Sequence, residues 1–195
     1  MSDTHWRLFV SIAVSDRVRN EIGQVQKRMR EAISADSVRW TRNDQIHLTL
    51  KFLGNVPAAK VDELTTALTQ ATNGFSCFEL RAKGLGFFPP KRIPRVVWIG
   101  IESDQDLLLK LQAGVARATE LFTNEREERS FSGHLTLGRV KKISRAEAQR
   151  LCDFGEKLAD RCLGQWPVSS IALMRSELEP SGARHSCVGS FPLSH

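Results

Sequence analysis

No apolar run in this chain approaches the roughly 20 residues that a membrane-spanning helix requires. The opening MSDTHWRLFV also lacks the apolar core of a secretion signal, so no membrane partner and a cytoplasmic location are expected. Cys77, Cys152, Cys162 and Cys187 show neither the short paired spacings of a zinc site nor the density of a disulfide scaffold, and they read as reduced thiols. No glycine-rich phosphate loop follows any strand-like segment, and tyrosine is absent altogether.

What is present is a basic, ordinarily hydrophobic chain. Lys plus Arg number 28 against 22 Asp plus Glu, a formal charge of +6, so an anionic partner such as nucleic acid, nucleotide or acidic lipid fits. Hydrophobic residues are 41% and charged residues 26% of the 195 residues, which predicts one compact, autonomously folding unit over 1–195.

The pattern alternates strand and helix. RLFVSIAV (7–14) reads as a buried strand, and Ser15 and Asp16 cap a helix with Val18, Ile22, Val25 and Met29 on one face. Strand character returns over 38–53 and is closed by a turn at Gly54 and Asn55. A helix follows with Val61, Leu64 and Leu68. Next come a strand over 76–88, an irregular loop FPPKRIPR and a strand over 96–101.

The second half repeats the order. A helix lies within 104–122, the charged stretch 124–129 follows as a solvated face, and a strand spans 131–140. Ser144 with Glu147 forms a capping-box pattern ahead of the next helix. Two closing strands are expected at 166–174 and 185–193 around a turn at 179–184. The links allow either an antiparallel α+β sandwich or a parallel doubly wound sheet.

The tetrapeptide His-Leu-Thr-Leu occurs twice, at 47–50 and 134–137, each time in a predicted strand followed by a polar turn and a helix. The repeat implies two similar lobes with one motif in each. Side chains alternate along a strand, so Leu48, Leu50, Leu135 and Leu137 face the core. His47 with Thr49, and His134 with Thr136, face the other way, each pair with Cβ atoms roughly 6 to 7 Å apart.

If an approximate twofold axis relates the lobes, both imidazoles and both hydroxyls surround one centre. That centre suits a phosphodiester: one neutral imidazole takes a proton from water, the other delivers one to the leaving alkoxide, and the hydroxyls donate to non-bridging oxygens. An ordinary imidazole pKa of about 6.5 keeps both forms available, and the pair should give a bell-shaped pH profile. Neither motif carries an acidic residue at ligand spacing, so no metal or other cofactor is expected.

At these residues the chain resembles the two-histidine phosphoesterases, and within them the bacterial and archaeal RNA 2′,3′-cyclic phosphodiesterases, historically called 2′-5′ RNA ligases. The resemblance spans nearly the whole chain: RLFVSIAV, HLTLKFLG, RVVWIG, HLTLGR and the closing SELEPSGARH with FPL. It implies a bilobal α+β fold, two facing antiparallel sheets lining a central cleft with helices outside. It further implies hydrolysis of a terminal RNA 2′,3′-cyclic phosphate to a 2′-phosphomonoester, with 2′-5′ ligation as the reverse reaction.

By that resemblance His47 is the proton donor and His134 the proton acceptor. Thr49 and Thr136 bind phosphate oxygens, and Arg139 binds a flanking phosphate or shapes the cleft. Gly133, where similar proteins commonly have proline, and His185, at a position often aromatic, depart from the pattern. Lys91, Arg92 and Arg95 are candidate phosphate contacts, and Trp40 and Trp98 candidate stacking surfaces that are otherwise core; His5 and His195, at the termini, carry no role. Two alternatives stand beside this reading: a non-catalytic RNA-end or nucleotide-binding module, and a phosphodiesterase for a small cyclic nucleotide, a cyclic ADP-ribose phosphate or a 2′,5′-oligonucleotide. A monomer with an internal cleft is expected.

Overall fold

A computed structural model describes residues 4–90, 93–123, 130–179 and 182–194. Strand β1 (His5–Ala13) runs into helix α1 (Asp16–Ala32), where the Ser15 hydroxyl accepts from the Val18 amide as the N-terminal cap. Then come β2 (Val38–Trp40), β3 (His47–Pro57), α2 (Val61–Thr72), β4 (Phe78–Phe88) and β5 (Val96–Ser103). The second half supplies α3 (Leu107–Ala118), β6 (His134–Val140), α4 (Arg145–Lys157), β7 (Cys162–Val168), β8 (Ser170–Glu179) and β9 (Gly182–Pro192). Ser144 and Glu147 form both halves of the predicted capping box.

All pairings between these strands are antiparallel, which rules out the parallel doubly wound alternative. The order is β7-β4-β5-β6-β3-β1-β8-β9, with β2 also beside β6. Two antiparallel halves, β7-β4-β5-β6 and β3-β1-β8-β9, therefore make up the α+β fold. They are fused into one nine-stranded sheet by a single residue pair, Leu48 with Leu135. The helices cover the face onto which those leucines point: α1 packs on β7 and α4, α2 on α3 and β9, α3 on β3, and α4 on β4. Each half thus takes strands from both the first and the second half of the sequence.

Three sequence expectations need correction. The segment 38–53 is not one strand: a 3-10 turn at Asn43–Gln45 separates β2 from β3. Gly54 and Asn55 do not end β3. The strand continues to Pro57 because Gly54, at φ 69°, absorbs a bulge that leaves Leu53 without a partner opposite β1. The single strand expected at 166–174 is two, β7 and β8, broken at Ser169, and β7 carries Pro167 because it lies at the sheet edge, where the missing amide costs no ladder bond. The charged stretch 124–129 and part of the turn at 179–184 lie outside the described residues.

Candidate active site

The fusion point between the halves is also the centre of the site. Leu48 and Leu135 are fully buried on the helix-covered face, each worth about 1.5–3 kcal/mol of transfer free energy. In an antiparallel ladder through that pair, His47 lies opposite Thr136 and His134 opposite Thr49, with all four side chains on the uncovered face. Diagonal neighbours on a regular ladder lie about 7–8 Å apart. Ladder pairing between β3 and β6 is confined to that one residue pair. An antiparallel pair has a local twofold between its two members, here Leu48 and Leu135.

The outer neighbours repeat the symmetry. Ala13, Ile12 and Ser11 on β1 pair with His47, Leu48 and Thr49, while Gly100, Ile99 and Trp98 on β5 pair with His134, Leu135 and Thr136. A small residue, Ala13 or Gly100, lies beside each histidine and leaves room for its ring.

Each imidazole is fixed in the same way. His47 donates its Nδ1–H to the Gln45 carbonyl at 2.7 Å, and His134 donates its Nδ1–H to the Ser132 carbonyl at 2.7 Å. A carbonyl only accepts, so the neutral ring keeps its proton on Nδ1 and presents a bare Nε2 for acid-base work. Aromatic rings hold both: Phe9 stacks on His47 at 4.9 Å between centroids, and Phe88 meets His134 edge-on at 5.2 Å. Burial lowers the pKa of His47 below its ordinary value, the Gln45 carbonyl opposes this, and His185 adds to the lowering. Thr49 and Thr136 are half-buried, and among the described residues neither hydroxyl has a hydrogen-bond partner.

A second symmetric device was missed from sequence. Each motif ends on a β-bulge: Val10 and Ser11 pair with Lys51 and Thr49, leaving Leu50 extra, and Val97 and Trp98 pair with Gly138 and Thr136, leaving Leu137 extra. Both strands accordingly show the same burial sequence, with two consecutive buried residues after the threonine. A buried glutamine meets each bulge. Gln26 on α1 donates from Nε2 to the carbonyls of Leu137 and Thr41, both at 2.9 Å, and Gln112 on α3 donates to the Leu50 carbonyl at 3.4 Å. Each helix thereby grips the motif strand of the other repeat. The available signal was a polar residue four positions after Ile22 or Leu108, inside an otherwise apolar helical stripe.

The other sequence candidates fall as follows. Arg139 is exposed, five residues beyond His134 and opposite Arg39 of β2; the bulge returns it to the open face, where Phe52 holds the equivalent place in the first copy. Arg95 is exposed, while Lys91 and Arg92 lie outside the described residues, as does His195. Trp40 is half-buried under the Arg30 guanidinium at 5.6 Å, and half-buried Trp98 lies 6.3 Å from His134. Gly133 packs close to Leu108, its ideal Cβ position 2.9 Å from Cδ2. His185 reaches the site: its ring is 5.5 Å from that of His47. Among the described residues no group of three or more His, Cys, Asp or Glu is placed to hold a metal ion.

Comparison with known proteins returns the same duplication. The LigT-like phosphoesterase model matches twice, over 12–98 and 99–185, with His47 and His134 at the same offset in each match. A protein of Methanothermobacter thermautotrophicus named RNA 2′,3′-cyclic phosphodiesterase is 31% identical over 180 residues, 90% of this chain and 92% of its own; a protein of that name from Archaeoglobus fulgidus is 30% identical over 90% of this chain and 94% of its own. The crystal structure of TT0787 of Thermus thermophilus superposes with a TM-score of 0.80 at 26% identity, covering 96% and 97% of the two chains. E. coli LigT complexed with 3′-AMP shares the fold, with a TM-score of 0.77 at 21% identity over 98% and 99%. With a match in each half and a histidine at the same place in both, the chain belongs to the LigT-like phosphoesterase family.

Proposed function

We propose that this protein hydrolyses the 2′,3′-cyclic phosphate at the end of an RNA strand, leaving a 2′-phosphomonoester and a free 3′-hydroxyl. The observation that carries the reading is the pair of Nδ1-anchored imidazoles beside the Leu48–Leu135 pair, each with a bare Nε2. The relatives' names supply the substrate class.

Water attacks phosphorus in line with the P–O3′ bond and gives a proton to Nε2 of His134. That bond breaks as His47 delivers its Nε2 proton to the departing 3′-oxygen. Solvent then returns both rings to their starting states. The hydroxyls of Thr49 and Thr136, without partners among the described residues, donate to non-bridging oxygens, and Arg139 adds cationic charge beyond the second motif. Burial makes His47 reluctant to carry its proton, so the anionic phosphate loads the acid by supplying a counter-charge. Run in the same direction with a 5′-hydroxyl in place of water, the step expels the same 3′-oxygen and forms a 2′-5′ linkage.

One chain supplies both imidazoles, which fits a single two-lobed domain acting as a monomer. All four cysteines are free thiols, in keeping with a reducing, cytoplasmic setting. The direct test is turnover of an RNA ending in a 2′,3′-cyclic phosphate, with chelator present, by wild type, His47→Ala and His134→Ala. Each variant is expected to lose on the order of 10²-fold or more in kcat. Full activity in either removes the acid-base assignment, and inhibition by chelator removes the metal-free mechanism.

A further inference from the structure

The proposed mechanism leaves one hydroxyl beside Thr49 unused. Every residue of β1 has a partner on β3, the extra residues of the bulges being on β3, so side chains alternate along β1 without interruption. Leu8, Val10 and Ile12 lie in the core, while Phe9 turns to the open face and stacks on His47. Ser11, two residues on from Phe9, shares that open face. It pairs with Thr49 on one side and with Ala172 of β8 on the other.

Ser11 is 3% exposed, and its hydroxyl has no hydrogen-bond partner among the described residues. Its oxygen is nevertheless not closed off from solvent, in contrast to the indole nitrogen of Trp98. Helices cover the opposite face, so the opening it retains is the cleft. A hydroxyl kept there without a partner costs stability. Packing does not call for it either: alanine occupies the next place on that face along the strand, Ala13, and the next place across the ladder, Ala172.

Direct cross-strand neighbours have Cβ atoms about 4.5–5.5 Å apart, so the hydroxyls of Ser11 and Thr49 can both donate, at about 2.7–2.8 Å, to one oxygen held between them. The second copy of the motif lacks this arrangement. Trp98 takes the place beside Thr136 that Ser11 takes beside Thr49, and its N–H is enclosed. The motif is repeated but its outer neighbour is not, so the two sides of a bound phosphate meet different sets of donors.

We propose that Ser11 is a phosphate-binding residue whose hydroxyl joins that of Thr49 in donating to one non-bridging oxygen, while the other non-bridging oxygen is held by Thr136 alone. The assignment rests on the reading of the chain as a cyclic phosphodiesterase and makes its phosphate site asymmetric. Sulfur is a weak acceptor, so replacing the oxygen that faces Ser11 by sulfur removes the contact from the substrate's side. The two diastereomers of a nucleoside 2′,3′-cyclic phosphorothioate carry sulfur at one or the other of these positions.

The test compares wild type with Ser11→Ala on adenosine 2′,3′-cyclic phosphate and on both diastereomers of its phosphorothioate. On the oxygen ester kcat/KM should fall about tenfold, the loss of one hydrogen bond to a charged group. The diastereomer that keeps oxygen toward Ser11 should lose as much, and the other less than about twofold, so the ratio between the two changes by about fivefold or more. A merely structural role would lower both diastereomers equally. Thermal unfolding should show Ser11→Ala at least as stable as wild type, since an unpartnered hydroxyl is removed. Calorimetry should show weaker binding of inorganic phosphate to Ser11→Ala. Equal losses on the two diastereomers, unchanged turnover of the oxygen ester, or unchanged phosphate affinity overturns the assignment. Wild-type protein that turns over none of the esters, while Ser11→Ala still weakens phosphate binding, would instead overturn the catalytic reading and leave the phosphate contact standing.

Discussion

Replacing Gln26 by leucine should loosen the second motif from a distance. The side chain is 4% exposed and gives both hydrogens of its amide to backbone carbonyls, Leu137 at 2.9 Å and Thr41 at 2.9 Å. Leucine fills similar space but donates nothing. Leu137 still receives the Thr41 amide at 2.8 Å, so the main loss is a part-buried carbonyl at Thr41 without its donor. One such group costs about 1–3 kcal/mol, which for a chain of this size is a Tm lower by roughly 2–4 °C per kcal/mol. Gln112→Leu should cost less, because its one bond is long at 3.4 Å. Urea unfolding and kcat on the cyclic ester should rank Gln26→Leu below Gln112→Leu in both stability and rate. Equal stabilities, or a Gln26→Leu protein within about 0.5 kcal/mol of wild type, would refute the clamp.

Three other outcomes follow from named contacts. His47 and His185 have pKa values lowered by burial, so below the ordinary 6.5 the unfolded chain binds more protons than the folded one. Urea unfolding should therefore show stability falling as pH drops from about 6.5 toward their folded values, and a flat profile there would contradict the burial. Ser144→Ala removes the α4 cap and one donor to Glu147, and thermal denaturation should register a loss of about 1 kcal/mol with little change in rate. Gly86→Ala would place its Cβ too close to the Trp98 ring, which must shift beside His134; overpacking of about 1–3 kcal/mol and a lower kcat are expected, and retention of both wild-type values would exclude that contact.

Much of this arrangement was legible because two periodicities did the work. Helical stripes such as Val18, Ile22, Val25 and Met29 located the helices, and the repeated His-Leu-Thr-Leu fixed which side chains share a face, since alternation depends only on position along the strand. What alternation cannot reveal is its own interruption: the bulges at Leu50, Leu53 and Leu137 arise where two strands of unequal length must pair, a property of both partners. Those interruptions return Phe52 and Arg139 to the open face. The division of 166–174 into β7 and β8 escaped notice because Pro167 and Ser169 mark a change of sheet edge only once the neighbours are known. The approach of His185 to His47 spans most of the chain and depends on β9 folding back along β8, which no local pattern records.

The central claim is that two imidazoles distant in the chain serve one phosphate. Nitrogen-15 spectra of the histidine rings, recorded while inorganic phosphate or 2′-AMP is titrated in, test this most directly. In the free protein the neutral rings of His47 and His134 should both carry their proton on Nδ1, and both Nε2 signals should move with a single shared Kd. A ligand that shifts one ring and leaves the other unmoved, or two rings that saturate at different concentrations, would contradict the account.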